Sequence, residues 1–204
     1  MNDADQRIAY FDALAAEWDD HEPSAETMIA RLSQHADLLA LAPGQRLLEV
    51  GCGTGKTTGY LAGQIAPGRV TAIDFAPAMV ARARAKGIEA DFACVDVCSD
   101  DLGEALYDVI LCFHSFPHFR DQARALRGFA RALKAGGRLI VMHMVGSRPL
   151  NAFHAGLDGP VHVDALPVGD EWRPLLAQAG FESTRFIDRD DLFFLEAVHA
   201  PPKA

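Results

Sequence analysis

The chain has 204 residues, half of them hydrophobic and 23% charged, which excludes a disordered or collagen-like chain and is enough to bury about 70% of the unfolded surface without staples. Its formal net charge of −9 repels phosphate backbones and anionic lipid, so nucleic acid and membrane are excluded as first partners. The opening stretch carries acids where a targeting signal carries bases, no apolar run is long enough to cross a membrane, and Cys52, Cys94, Cys98 and Cys112 show no CxxC spacing; a cytoplasmic chain with reduced thiols is expected.

In chain order, Ile8, Phe11, Leu14, Ala15 and Trp18 fall at helical spacing, and a second helix is predicted from Ala25 to Leu41 after the break at Pro23. From Arg46, apolar runs alternate with helical stretches: RLLEV, a helix from Lys56 to Ile65, RVTAID, a helix from Pro77 to Lys86, DFACVD, YDVILCF, a helix from Arg120 to Lys134, then RLIVMHM. Continuous apolar strands between helices predict a parallel sheet covered on both faces. The stretch from Val145 to Gly169 reads as irregular and too long for a simple connection. After a helix from Asp170 to Ala179, FESTRFI and LFFLEAV are separated by only a short polar turn. Parallel neighbours need a crossover of a dozen residues or more, so these two strands form an antiparallel hairpin. The expected fold is α/β: a doubly wound, mostly parallel seven-stranded sheet ending in that hairpin. A helical cap over residues 1–44 precedes a core over 45–204.

The junction of the first strand with its helix reads Glu49-Val-Gly51-Cys-Gly53-Thr-Gly55, at the carboxyl edge where doubly wound sheets bind ligands. A P-loop ending at Gly55-Lys56-Thr57 needs glycine at 50, which is Val, and a dinucleotide GxGxxG starting at Gly51 needs glycine at 56, which is Lys. LLEVGCGTG instead resembles motif I of the class I S-adenosylmethionine-dependent methyltransferases, an acid followed by GxGxG. RVTAIDFAPAMVARAR, FACVDV, YDVILCFHSFPHF and LKAGGRLIV are similar to that family's later blocks in order, and the terminal hairpin agrees with its antiparallel last strand. YFDALAAEWDDH resembles the leading helix of its small-molecule members.

The resemblance implies S-adenosyl-L-methionine as donor and a small-molecule acceptor. It places Glu49, Gly51, Gly53, Gly55, Asp74, Phe75, Asp96, Val97 and Phe113 around the donor. Asp74 suits a ribose diol, Asp96 a ring amine, and Glu49 an ammonium group, since ionised carboxylates make the stronger hydrogen bonds. His118 is the expected general base or acceptor-orienting residue, with His114 second, because imidazole is best matched to proton removal near neutral pH. Tyr10, Trp18, Arg148 and His154 are the expected acceptor contacts. No metal is expected: His114 and His118 stand at i, i+4, but Pro117 puts them on a loop. Arg120, Arg124, Arg127, Arg131 and Lys134 read as a solvated basic helix face. The protein is expected to act as a monomer or homodimer. A nicotinamide-dependent oxidoreductase, or a non-catalytic protein that binds the same donor, are the alternatives.

Overall fold

A computed structural model describes residues 3–20 and 23–199. The chain forms two compact units, Met1–Val95 and Asp96–Ala204. The first unit holds helices α1 (Asp3–Leu14), α2 (Ala25–Gln34), α3 (Ala36–Leu39), α4 (Thr58–Ile65) and α5 (Pro77–Ala85), with strands β1 (Arg46–Val50), β2 (Arg69–Asp74) and β3 (Asp91–Cys94). Strand β1 pairs in parallel with β2, and β2 with β3. Leu47, Leu48, Val50, Val70, Ala72 and Ile73 are buried, the near-continuous burial of strands covered on both faces.

The N-terminal helices depart from the sequence reading. α1 stops at Leu14, so Trp18 lies in the turns that follow, and the predicted second helix is broken at His35 into α2 and α3. α1 is fastened to the unit by a capping bond. The residue preceding α5, Ala76, has no side chain that can cap, and Asp12 Oδ1 of α1 accepts the Ala78 N–H at 2.8 Å instead. A helix leaves its first N–H groups without intrahelical partners, and a carboxylate is a good acceptor for them.

The second unit holds β4 (Tyr107–Phe113), α6 (Gln122–Ala132), β5 (Leu133–His143), α7 (Ser147–Ala155), α8 (Trp172–Gln178), β6 (Phe181–Arg189) and β7 (Leu192–His199). β4 and β5 are parallel, while β7 runs antiparallel to both β5 and β6, in the order β4-β5-β7-β6. The hairpin expected from the short turn is therefore present, and the fold is a seven-stranded, mostly parallel sheet with helices. Among the described residues no helix is long and apolar enough to cross a membrane.

Two features of this unit correct the sequence reading. The stretch from Val145 to Gly169 is not irregular throughout, because residues Ser147–Ala155 form α7. The basic stripe near α6 is largely paired: Arg120 with Asp96, Arg124 with the Ser99 carbonyl, Arg131 with Asp101 and Lys134 with Asp108. It ties α6 and the start of β5 to β4 and to the segment before β4, while Arg124, Arg127 and Arg131 remain exposed.

Candidate active site

In the first unit, the chain leaves β1 through a turn in which Gly51, Gly53 and Gly55 have φ of 74°, 53° and 77°. An L side chain is strained in that region. A Cβ at Gly55 would also lie 3.3 Å from that of Ala83. The turn is pinned from β2: the Ile73 carbonyl accepts the N–H groups of Gly51 and Cys52. Asp74, buried at the end of β2, accepts from Gly53 N–H through Oδ2 and from Ala76 N–H through Oδ1, each at 2.9 Å. Asp74 thus holds the glycine turn as well as standing beside it. A carboxylate offers about four lone-pair sites and so accepts from more than one donor at a time.

Glu49 is 2% exposed and accepts from the Thr57 and Thr58 hydroxyls at 2.9 and 2.6 Å. Burial raises its pKa to about 7, against the lowering effect of the two hydroxyls and with a further rise from the Asp74 charge. A cationic ligand group would draw Glu49 into its ionised form, since an opposite charge nearby favours the charged state.

The N-terminal segment covers this turn. The Trp18 indole nitrogen lies 3.4 Å from the position a Gly53 Cβ would occupy. Asp19 accepts from the Thr54 hydroxyl and pairs with Lys86 at 2.8 Å. Burial works against the Asp19 charge, but the bonds from Lys86 and Thr54 outweigh it and hold its carboxyl below the usual range. Tyr10 and Phe75 both meet Phe11 edge-on, with ring centroids 5.3 and 5.4 Å away. Sequence reading did not single out Asp19, Thr54 or Lys86, and their separations of 35 and 32 residues from Thr54 leave no local signal.

In the second unit, Asp96 pairs with Arg120 and accepts the Cys98 N–H at 2.8 Å, beside the buried Val97. Phe113 ends β4 and is buried. His114 follows in the left-handed region at φ 56°, uncommon for a residue other than glycine. Its ring stands edge-on to Phe113 with centroids 4.4 Å apart, and its Nε2 accepts the Met144 N–H at 3.2 Å.

His118 closes a short 3-10 turn, Phe116–His118, in which Pro117 supplies a preset φ. Its Nδ1 lies 2.7 Å from Asp164 Oδ2. An ionised carboxylate only accepts, so Nδ1 carries the proton and Nε2 is the basic nitrogen of the neutral ring. His154, on α7, donates from Nδ1 to the Asp164 backbone carbonyl at 3.0 Å, and its ring centroid is 5.1 Å from that of His118. Burial, together with the neighbouring His118, pushes the His154 pKa down.

His143 is 1% exposed, with neither ring nitrogen hydrogen-bonded. Burial foremost, then the charges His114, His118 and His154 would carry, pushes its pKa far down, so it stands as neutral imidazole. Arg148 is exposed on α7. Among the described residues no group of three or more His, Cys, Asp or Glu is arranged to hold a metal ion. All four cysteines are free, and burial raises the thiol pKa of Cys52, Cys98 and Cys112. Those three behave as small apolar groups and not as nucleophiles.

Comparison with known proteins adds the following. Residues 48–141 match the family model described as "Methyltransferase domain". The chain is 32% identical over 189 residues to "O-methyltransferase cnsE" of Penicillium expansum, covering 86% of this chain and 66% of that protein. It is 30% identical over 182 residues to a "Ubiquinone biosynthesis O-methyltransferase" of Alkalilimnicola ehrlichii, covering 84% of this chain and 72% of that one. The chain therefore spans about two thirds to three quarters of the length of these relatives. A solved structure titled "DhpI-SAH complex structure" superposes with a TM-score of 0.71 over 97% of both chains at 18% identity, a likeness of fold.

Proposed function

This chain belongs to the class I S-adenosylmethionine-dependent methyltransferases, and we propose that it transfers the methyl group to an oxygen atom of a small-molecule acceptor. The observation that carries the oxygen is the naming of its relatives, both of them O-methyltransferases at 30% identity or more. The residues of the first unit fit the donor. The glycine turn has no side chain of its own at Gly51, Gly53 and Gly55, and Asp74 and Glu49 offer carboxylates to a diol and to an ammonium group. S-adenosylmethionine supplies an activated methyl on a sulfonium, so the protein's task is to align the groups and manage one proton.

In this reading Glu49 meets the donor's ammonium in its ionised form, and Asp74 accepts from the ribose hydroxyls. Gly51, Gly53 and Gly55 admit the donor to the backbone. Asp96, Val97 and Phe113 recognise the adenine, Asp96 as an acceptor from the ring amine. His118 takes the acceptor's hydroxyl proton on Nε2, with the developing imidazolium stabilised by Asp164 on the opposite nitrogen. His114, held through Nε2 by the Met144 amide, orients the acceptor beside it. Arg148 and His154 complete the acceptor contacts of the second unit.

The test is turnover. The purified chain is incubated with S-adenosylmethionine and a panel of phenols, alcohols, amines and thiols, and S-adenosylhomocysteine release is followed together with product mass. Products methylated on oxygen are expected. Turnover confined to amines or thiols overturns the choice of oxygen, and failure of S-adenosylmethionine to bind overturns the site.

A further inference from the structure

We infer that Asn151 is a positioning residue for His118, acting through the backbone of residues 164–166. This rests on the reading of His118 as the base. Asp164 lies 46 residues beyond His118, in a segment without regular structure, yet it is 5% exposed. Its own turn supplies one bond, from the Asp164 N–H to the Val161 carbonyl at 3.0 Å, and the carbonyls of residues 164–166 are held from outside it.

Asn151, on α7, supplies the constraint. Its Nδ2 donates to the Leu166 carbonyl at 2.9 Å and its Oδ1 accepts the Leu166 N–H at 2.8 Å. One side-chain amide thereby satisfies both backbone groups of one residue, the pairing a neighbouring strand would otherwise provide. His154 lies one turn further along the same face of α7 and donates to the Asp164 carbonyl. Gln122, in the first turn of α6, donates to the Ala165 carbonyl at 2.9 Å. Three consecutive peptide units are thus tied to two helices, and the Asp164 side chain projects from the tied segment onto His118 Nδ1. The consequence is a fixed tautomer. While Asp164 stays in place, Nδ1 keeps the proton and Nε2 remains the nitrogen able to take another.

Only an amide with both a donor and an acceptor makes the pair of bonds to Leu166. Asn151→Asp keeps the acceptor and loses the donor, and Asn151→Ala loses both.

The test uses the full chain, labelled with nitrogen-15, without donor or acceptor, at mildly alkaline pH. Two-bond imidazole spectra report which nitrogen of each histidine carries the proton. In the wild type His118 and His154 show the Nδ1–H form. In Asn151→Ala, His118 loses that signature, with a partial loss in Asn151→Asp. His162, whose Nδ1 bonds the Gly159 carbonyl at 2.8 Å within its own turn, keeps its signature and shows that the local chain is intact. In an Asp164→Ala background the Asn151 change moves His118 no further, because the two residues act in series. Retention of the Nδ1–H form by His118 in a folded Asn151→Ala chain overturns the proposal. So does a further shift in the Asp164→Ala background. The base reading fails separately: full turnover in His118→Ala would sink it while leaving the tautomer result untouched.

Discussion

The glycine turn of the first unit and the histidine group of the second both rest on a buried acid, but the acids are held over different spans of chain. Glu49 is satisfied by Thr57 and Thr58, eight and nine residues away, and Asp74 by Gly53 and Ala76, 21 and two residues away. His118 depends on Asp164, 46 residues distant, and that residue on a segment fastened by Asn151, 15 residues from its partner, and by Gln122. The first arrangement follows once β1, β2 and their helices form. The second requires α6, α7 and the segment after α7 to be placed together. In the proposed function the short-range arrangement serves the donor's diol and ammonium, and the long-range one serves the acceptor's proton.

The largest effect expected is at the histidine. His118→Ala should lower turnover by about a hundredfold or more, because general-base contributions run from about 10² to 10⁴. Affinity for S-adenosylmethionine should stay nearly unchanged in calorimetry. A loss of donor affinity matching the loss of turnover would instead join His118 to the donor site and break the division between the two regions.

Glu49 gives the next largest effect, read as stability against pH. Its pKa is about 7 folded against 4.5 for the ordinary group, so the folded chain holds the proton more tightly. Its contribution to stability is therefore present below the unfolded value and is lost as pH rises through about 7. The full change is about 3 kcal/mol for a shift of this size. Glu49→Gln, which cannot ionise, should gain on the wild type by about 6 to 12 °C in melting temperature between mildly acidic and mildly alkaline pH. Thermal unfolding of the two proteins across that range checks it. S-adenosylmethionine should narrow the gap, because an ammonium beside Glu49 stabilises its charged form. Parallel curves for the two proteins would remove Glu49 as a titrating group.

Asp74→Ala sharpens the comparison from the other side. Loss of a charge-assisted acceptor should weaken donor binding by about 1.5 to 3 kcal/mol, roughly tenfold to hundredfold. Asp74 also holds the amides of Gly53 and Ala76, so the melting temperature should fall by several degrees as well. Unchanged donor affinity in a folded variant would take Asp74 out of the donor site and leave it as a brace for the turn.

The parallel pairing of the first unit, the terminal hairpin and the composition of the glycine turn were legible in the sequence. Apolar alternation, strand length, turn length and glycine spacing are local quantities, and β1, β2 and β4 have the bounds read from RLLEV, RVTAID and YDVILCF. Where the reading failed, a distant partner had overridden the local signal. Trp18 reads as part of the first helix, yet α1 stops at Leu14 and Trp18 lies against Gly53, 35 residues later. The basic stripe looks wholly solvated until the acids of β4 and of the segment before it are set beside it. The polar residues after β5 look irregular because α7 has a polar face whose hydrogen bonds go to the segment that follows it. Tertiary structure decided these, because a hydrogen bond or ion pair depends on the separation of its atoms in space, and residues tens of positions apart in the sequence acquire that separation only when the helices and strands between them have packed.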